Sequence, residues 1–462
     1  MKENLSRRNF LGASTGFAAA GFAAMANPIA AAAQSVGVKP GDLPDLTIKE
    51  VKIYVTDISK VHKLNGTETG ELISIVTNSG IEGNYTLGDR NRTANWLEWA
   101  KPALVGKNVM DVLPGLTSTS GIKTRGNGYD ASLFRRPPGG GRGAFGAPPA
   151  LGTVPAFDSA EIPGSGLEMR GAGSWPNYYT AAADVALWDI LGKAVNRPIY
   201  KLLSGGMPTK DRVMAYASSQ HLPNIEDYAP DVLKAKQLGY KGYKIHPGSG
   251  QHATGPAIPA YIGHMEEIRE VRKAVGDGYV LAFDPVQGYN EFEALTVGRL
   301  MDELDYLWFE DPMEDIDQVG LIGLVSKLNT GINVGEFLYS IADFAEYIKR
   351  DALTIVRPIV DNVGGISGGM RLGLLADAHG YECQPHNWGN FYDLAAAFHL
   401  ELALPNAYWF EMPFPAEYAD RPYLKYKFRI DQDGYVPAPT EPGLGYPIDR
   451  DELDKLTLRI ER

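Results

Sequence analysis

The sequence is poor in cysteine and in basic charge, and each shortage excludes a class of protein. Cys383 is the only cysteine among 462 residues, so the chain forms no internal disulfide and no thiolate metal cluster. Acidic residues outnumber basic ones by 56 to 44, and the net charge of −12 gives no general attraction for nucleic acid or anionic membranes. An anionic substrate must therefore be held by local positive groups, and a bound divalent cation would suit that need.

The composition is otherwise that of a soluble globular protein, and the N-terminus resembles an export signal. Residues 6–11, SRRNFL, form a twin-arginine pattern, and an alanine-rich apolar run follows it. A membrane anchor is the weaker alternative, because Ala and Gly dominate the run and residues 31–33, AAA, offer a cleavage site. We predict a signal peptide over residues 1–33 and a periplasmic protein, exported by the twin-arginine route, with no membrane segment after cleavage.

The remaining sequence changes its pattern twice. Residues 47–55 alternate in polarity and residues 70–77 follow a turn, which predicts strands of a small α+β domain. Residues 117–173 are crowded with Gly, Pro and Arg and are predicted to form a long loop, either a flexible linker or a lid. From Tyr179 onward, a helix and then short β-rich runs alternating with amphipathic helices indicate βα units with parallel strands.

Polar residues end successive apolar runs at a nearly constant spacing. They are Asp284, Glu310, Glu336, Asp361, His386 and Glu411, at intervals of 26, 26, 25, 25 and 25 residues. A βα unit of this length returns the chain to the same face of a barrel, so these residues are expected at the C-terminal ends of successive strands. Active sites of barrel enzymes lie at that end, so the spacing predicts a shared site.

Three of these residues, Asp284, Glu310 and Glu336, are the predicted metal ligands. Three carboxylates on adjacent strands could not all stay ionised at close range without a cation. Ligation by oxygen alone suits Mg²⁺ better than zinc. The alternative is that each carboxylate only caps the following helix, which we favour less for three residues in phase.

Longer motifs add a resemblance to a known family. They are residues 182–193 (AADVALWDILGK), 198–206 (PIYKLLSGG), 284–289 (DPVQGY), 309–312 (FEDP), 335–336 (GE) and 364–367 (GGIS). On these motifs the sequence resembles the enolase superfamily, specifically its mandelate racemase/muconate lactonizing enzyme-like branch. The resemblance implies an α/β fold, a modified TIM (β/α)-barrel at residues 176–420 with an N-terminal α+β capping domain at residues 46–175. Residues 421–462 would pack back on the capping domain.

The resemblance also implies a chemistry, in which one Mg²⁺ ion assists removal of the proton α to a substrate carboxylate to give an enediolate. Lys244 and His246 occupy the place of the family's second-strand Lys-x-Lys pair. Lys244 would then contact the substrate carboxylate, and His246 replaces the lysine that usually acts as base. His246 could also be only a loop residue before Pro247, or a residue that supports a metal ligand without reacting itself. His386 matches the histidine at the end of the seventh strand and is the favoured general base or acid.

Two further residues have less certain roles. The family's aspartate that orients the histidine corresponds to Ile359, and Asp361, two residues later, either replaces it or caps the next helix. Glu411 matches an eighth-strand glutamate that donates a hydrogen bond or proton to the substrate carboxylate. That role requires a raised pKa, which acidic neighbours could supply, and a solvated carboxylate is the alternative.

The predicted activity is dehydration of a small-molecule sugar acid to a 2-keto-3-deoxy acid, because dehydratases are numerous in this branch. A racemase, epimerase or cycloisomerase acting on a hydroxy acid or sugar acid shares the first half-reaction and is an alternative. A non-catalytic protein that binds an acidic sugar is another, although the intact triad argues against it. The family is usually oligomeric, so we also expect a homo-oligomer.

Overall fold

The computed structural model of the chain describes residues 42–59, 69–86, 93–116, 174–248, 259–389 and 391–462. The predicted signal peptide, residues 1–33, and the predicted loop, residues 117–173, lie outside these ranges. Within the described ranges, no helix combines the length and the apolar character needed to cross a membrane.

The N-terminal part forms a four-stranded antiparallel sheet. Strands β1 (Ile48–Asp57), β2 (Thr69–Thr77) and β3 (Glu82–Tyr85) follow in sequence, which confirms the strands predicted for residues 47–55 and 70–77. The last strand of the chain, β13 (Thr457–Glu461), pairs with β1, so the strand order is β13-β1-β2-β3. We call this sheet and the two helices that follow it, α1 (Thr93–Leu104) and α2 (Val109–Leu116), the cap.

The second part is built from βα units. Its parallel strands are β4 (Arg212–Ser218), β5 (Gly242–Ile245), β6 (Val280–Phe283), β7 (Trp308–Glu310), β8 (Gly331–Val334), β9 (Ile355–Val356), β10 (Glu382–Cys383) and β11 (Trp409–Pro413). Strands β4 to β10 pair in chain order, and β11 lies on the other side of β4, as a barrel requires. A short strand, β12 (Tyr435–Pro437), pairs antiparallel with β4.

Helices connect and surround these strands. They are α3 (Ser174–Ala194), α4 (Ile199–Leu203), α5 (Tyr228–Leu238), α6 (Ala260–Val275), α7 (Glu291–Glu303), α8 (Gln318–Lys327), α9 (Ile341–Lys349), α10 (Gly365–Ala378), α11 (Phe391–Ala403) and α12 (Arg450–Leu456). Helix α3 joins the two parts, because it packs against β3 of the cap and against α10 of the barrel. The architecture confirms the predicted α/β barrel with an N-terminal cap.

The inside of the barrel explains why polar residues gather at one end. Tyr216, Ala282, Trp308 and Ile355 form a buried cluster, and Trp409 packs against it. Side chains alternate along a strand, so the residues two positions further along face the same interior, one layer nearer the C-terminal ends of the strands. Those residues are Ser218, Asp284, Glu310, Arg357 and Glu411. An aromatic layer thus supports a charged layer above it.

The cap and α3 meet closely at Gly83, which gives a test of the fold. A Cβ atom at Gly83 would lie 1.9 Å from the carbonyl oxygen of Ala186 and 2.7 Å from the side chain of Ile190. Gly83→Ala is therefore expected to reduce the free energy of unfolding by about 1–3 kcal/mol, measured by denaturant titration. The control is Gly323→Ala in α8, where the nearest atoms lie at 3.5 Å or more. Equal stability of the two variants would contradict this packing.

Candidate active site

The structure brings the three predicted metal ligands together. Asp284 follows β6 directly, Glu310 ends β7, and Glu336 lies two residues after β8. One oxygen of each carboxylate lies within 4.8 Å of the others. Oε2 of Glu310 is buried without a hydrogen-bond partner in the described part of the chain. Three converging carboxylates with an unsatisfied buried oxygen fit a divalent cation that prefers oxygen ligands.

Two buried, positively charged side chains, Lys244 and Arg357, contact these carboxylates. Nζ of Lys244 lies 3.2 Å from Asp284, 2.7 Å from Glu310 and 2.9 Å from Glu411. The guanidinium of Arg357 forms ion pairs with Glu310 and Glu411. The contacts of Lys244 in this structure are with carboxylates of the protein, and its contact with the substrate stays a prediction.

A charge count supports one divalent cation at this place. With the adjacent Asp311 protonated, as its raised pKa favours, the three ligand carboxylates and Glu411 carry four formal negative charges, and Lys244 and Arg357 supply two positive ones. An excess of two negative charges remains in a largely buried region, where unbalanced charge is costly. A single divalent cation would cancel that excess.

The pKa shifts of the buried carboxyls are those expected from an excess of negative charge. Burial raises the pKa of Glu310 well above its ordinary value, although Arg357 and Lys244 oppose the rise. Burial and the neighbouring Glu336 likewise raise the pKa of Asp311, the next residue. Burial also acts to raise the pKa of Asp284, but there Lys244 and a histidine outweigh burial and lower it. Without a cation, the carboxyls of the cluster therefore compete for the available positive charge.

Glu411 is held as an anion, which corrects one prediction. It accepts hydrogen bonds from Oγ of Ser218 at 2.7 Å and from the backbone N–H of Asn387 at 2.8 Å. Burial acts to raise its pKa, but Arg357 and Lys244 outweigh burial and lower the pKa well below its ordinary value. The expected raised pKa of Glu411 is therefore wrong for this arrangement, and its role toward the substrate carboxylate stays a prediction.

His246 is the first residue after β5 and contacts the triad. Its Nε2 atom is 3.0 Å from Oδ2 of Asp284, and its Nδ1 atom is 2.7 Å from the carbonyl oxygen of Ser219. A carbonyl only accepts hydrogen bonds, so Nδ1 carries the hydrogen and Nε2 faces the site. The rings of His221 and Trp388 lie 5.4 and 5.0 Å from its ring centre.

His386 reaches the triad from another side. It follows β10, and its Nε2 atom lies 3.0 Å from Oε2 of Glu336. Its Nδ1 atom lies 3.4 Å from the backbone nitrogen of Trp388. With 13% of its side chain exposed, His386 is partly open to solvent. The two candidate acid–base residues, His246 and His386, thus each touch a different carboxylate of the triad.

Asp361 faces the cap. Its Oδ1 atom accepts a hydrogen bond from the hydroxyl of Tyr85 at 2.8 Å. Asp361 is not the residue that caps the next helix, because the N-cap of α10 is Gly364 and the carboxylate that accepts from its first turn is that of Asp184, whose Oδ2 atom lies 3.0 Å from the backbone nitrogen of Ser367. An aspartate that orients His386 would have to reach Nδ1, and that atom faces the backbone of Trp388.

Sequence reasoning missed Arg357, the second buried cation. A signal was available, because Arg357 is the first polar residue after the apolar run that contains β9. The regular spacing of about 25 residues directed attention to Asp361 instead. Alternation from Ile355 places Arg357 inside the barrel, in the same layer as Glu310 and Glu411.

A capped barrel with acidic and histidine side chains converging at the C-terminal ends of its strands has the architecture of a barrel enzyme. Comparison with known proteins defines its family. The family described as "Enolase C-terminal domain-like" matches residues 227–452. The arabinonate dehydratase of Saccharolobus solfataricus is 31% identical over 272 residues, which cover 58% of this chain and 69% of that protein.

A second relative agrees with this assignment, and a solved structure agrees with the fold. The D-galactarolactone cycloisomerase of Agrobacterium fabrum is 27% identical over 288 residues, covering 60% of this chain and 72% of that protein. A solved structure from Pseudovibrio sp., described as a mandelate racemase/muconate lactonizing enzyme, is 21% identical with a TM-score of 0.69. The structural match covers 90% of this chain and 99% of the Pseudovibrio chain, and it shows the shared fold. The chain belongs to the enolase superfamily and is an enzyme of that superfamily, as its motifs predicted.

Proposed function

We propose that the protein is a Mg²⁺-dependent dehydratase that converts a sugar acid into a 2-keto-3-deoxy acid. The observation that carries the proposal is the contact of two histidines, His246 and His386, with different carboxylates of one triad. Dehydration needs a group that removes a proton and a group that donates one. The arabinonate dehydratase, at 31% identity, supports the reaction class.

The metal requirement follows from the acidity of the substrate. A hydrogen next to a carboxylate is very weakly acidic, because its removal places more negative charge on an anion. Mg²⁺, held by Asp284, Glu310 and Glu336, would supply charge neutralisation at the substrate carboxylate oxygens. Lys244 and Arg357 keep the ligand carboxylates in place by pairing with them.

The histidines then divide the proton transfers. One imidazole removes the proton from C2 of the sugar acid, and the electron pair of that C–H bond forms the enediolate. The other donates a proton to the departing hydroxyl at C3, so the C3–O bond breaks and water leaves. The resulting enol takes up a proton at C3 and loses the proton of its C2 hydroxyl, which gives the 2-keto-3-deoxy acid. Glu411, held ionised by its partners, orients Lys244 and Arg357 in this scheme.

Cycloisomerisation is the second candidate, because the D-galactarolactone cycloisomerase is a relative. It needs the same first step, removal of the α-proton, but the product keeps the atoms of the substrate. Measuring whether water is lost therefore separates the two reactions.

The proposed reaction is tested with Mg²⁺ and a library of sugar acids in deuterated water, followed by NMR. Wild-type protein is expected to form a 2-keto product, and His386→Ala is expected to lower the rate by about a hundredfold or more. His379→Ala, an exposed histidine at the end of α10, is the matched control and should keep full activity. Deuterium uptake without loss of water would indicate an isomerase, and no reaction with any acid would favour a binding protein.

We also propose that the enzyme acts in the periplasm. The proposal rests on the twin-arginine pattern of residues 6–11. Replacing both arginines with lysine should retain the protein in the cytoplasmic fraction, and unchanged fractionation would contradict export by this route.

A further inference from the structure

The hydroxyl of Tyr85 connects the cap to two loops of the active site. Tyr85 ends β3, the edge strand of the cap sheet, and its side chain is fully buried. Its oxygen lies 2.8 Å from Oδ1 of Asp361 and 3.3 Å from Oδ1 of Asp393. Asp361 lies in the loop after β9, and Asp393 lies in the first turn of α11, after the β10 loop. A single cap hydroxyl therefore contacts two consecutive units of the barrel.

The first of these loops supports a metal ligand. Asn362, the neighbour of Asp361, donates a hydrogen bond from Nδ2 to the backbone carbonyl of Glu336 at 3.1 Å. A displacement of the loop at Asp361 would therefore be transmitted to the backbone of Glu336.

The second loop carries the acid–base candidate. Oδ2 of Asp393 lies 2.5 Å from the position that a Cβ atom on Gly389 would take, so this carboxylate packs directly against the loop. Gly389 is three residues after His386, whose Nε2 atom lies 3.0 Å from Oε2 of Glu336. The pair formed by His386 and Glu336 is thus assembled from the two loops that Tyr85 contacts.

Tyr85 itself is anchored firmly. The preceding residue, Asn84, donates its backbone N–H to Oδ2 of Asp189 in α3 at 3.0 Å. The ring of Tyr85 packs edge-on against Tyr392, with ring centres 6.3 Å apart. The hydroxyl can therefore act as a fixed point for the more exposed loops.

We propose that Tyr85 is a positioning residue, whose hydroxyl holds the two loops at the spacing at which His386 meets Glu336. The active site is then completed by the cap, although the residues that react belong to the barrel. The kinetic part of this inference rests on the proposed dehydratase function, while its structural part does not.

The test uses Tyr85→Phe, which keeps the ring and removes the hydroxyl. With saturating Mg²⁺, kcat is expected to fall by about 10- to 100-fold, as for loss of a hydrogen bond to a charged group. KM should change much less, because the variant alters the placement of a reacting group and not the binding surface. Tyr54→Phe, the same change at a buried cap tyrosine in β1, is the control and should leave kcat unchanged.

A double variant decides whether Tyr85 acts through its partner. If it does, Tyr85→Phe combined with Asp361→Asn should lose little more than the more severe single variant. The proposal would be overturned if the reduction in kcat of the double variant equalled the product of the two single reductions. It would also be overturned if the kcat of Tyr85→Phe were close to that of wild type.

Hydrogen–deuterium exchange provides a measurement that needs no substrate. Peptides covering residues 359–365 and 384–393 should exchange faster in Tyr85→Phe, with the rest of the barrel unchanged. Faster exchange spread evenly over cap and barrel would overturn the proposal in favour of a general packing role. If wild-type protein dehydrates no sugar acid, the proposed function fails, and the exchange result still decides the role of Tyr85.

Discussion

Replacing Glu336 with glutamine is expected to lower kcat/KM by about a thousandfold, equivalent to about 4 kcal/mol of transition-state stabilisation. The substitution keeps the shape of the side chain and removes one of the three negative charges that would hold Mg²⁺. Weaker charge neutralisation at the substrate carboxylate then raises the barrier to proton removal. Isothermal titration with Mg²⁺ alone should show an affinity lowered by about tenfold or more.

Glu336 is the most suitable ligand for this test because of its surroundings. Asp284 and Glu310 form ion pairs with the buried Lys244, so changing either would also leave a buried cation less compensated. Glu336 instead contacts His386, whose side chain is partly exposed. Glu303→Gln, at an exposed position at the end of α7, is the control. Unchanged Mg²⁺ affinity in Glu336→Gln would contradict the assignment of the triad.

The triad could be predicted from sequence because it depends on local periodicity. Each βα unit has nearly the same length, so residues 25 or 26 positions apart return to the same end of the barrel. Asp284, Glu310 and Glu336 each lie at or just beyond a strand end, where this geometry is strict. The same reasoning located His386 and Glu411.

Prediction from the sequence was less successful for residues that lie further from the ends of the strands. Asp361 lies five residues after the end of β9, and at that distance strand alternation no longer fixes the direction of a side chain. Its contact with Tyr85 joins residues 276 positions apart, so no local pattern could reveal it. The direction of the pKa shift at Glu411 was predicted wrongly for the same reason, because the shift depends on Arg357, a partner 54 residues away.

Arg357 matters most for the stability of the charged layer. Its side chain is fully buried between Glu310 and Glu411, and these ion pairs raise its pKa well above the ordinary value against the effect of burial. Arg357→Met would keep much of the volume and remove the charge. The buried carboxylates would then lack a counter-ion, so the free energy of unfolding is expected to fall by about 3–5 kcal/mol, measured by denaturant titration.

The loss of stability in Arg357→Met should depend on whether Mg²⁺ is present. A second substitution should recover part of the lost stability. Without Arg357 the excess of negative charge in the site grows from two to three, so Mg²⁺ should raise the melting temperature more in Arg357→Met than in wild type. Arg357→Met combined with Glu411→Gln removes both partners of one ion pair and should recover stability relative to the single variant. Arg350→Met, at an exposed arginine after α9, should be nearly neutral. If Arg357→Met were as stable as Arg350→Met, Arg357 would not be the counter-ion that keeps Glu411 ionised, and the charge count that supports one divalent cation would fail with it.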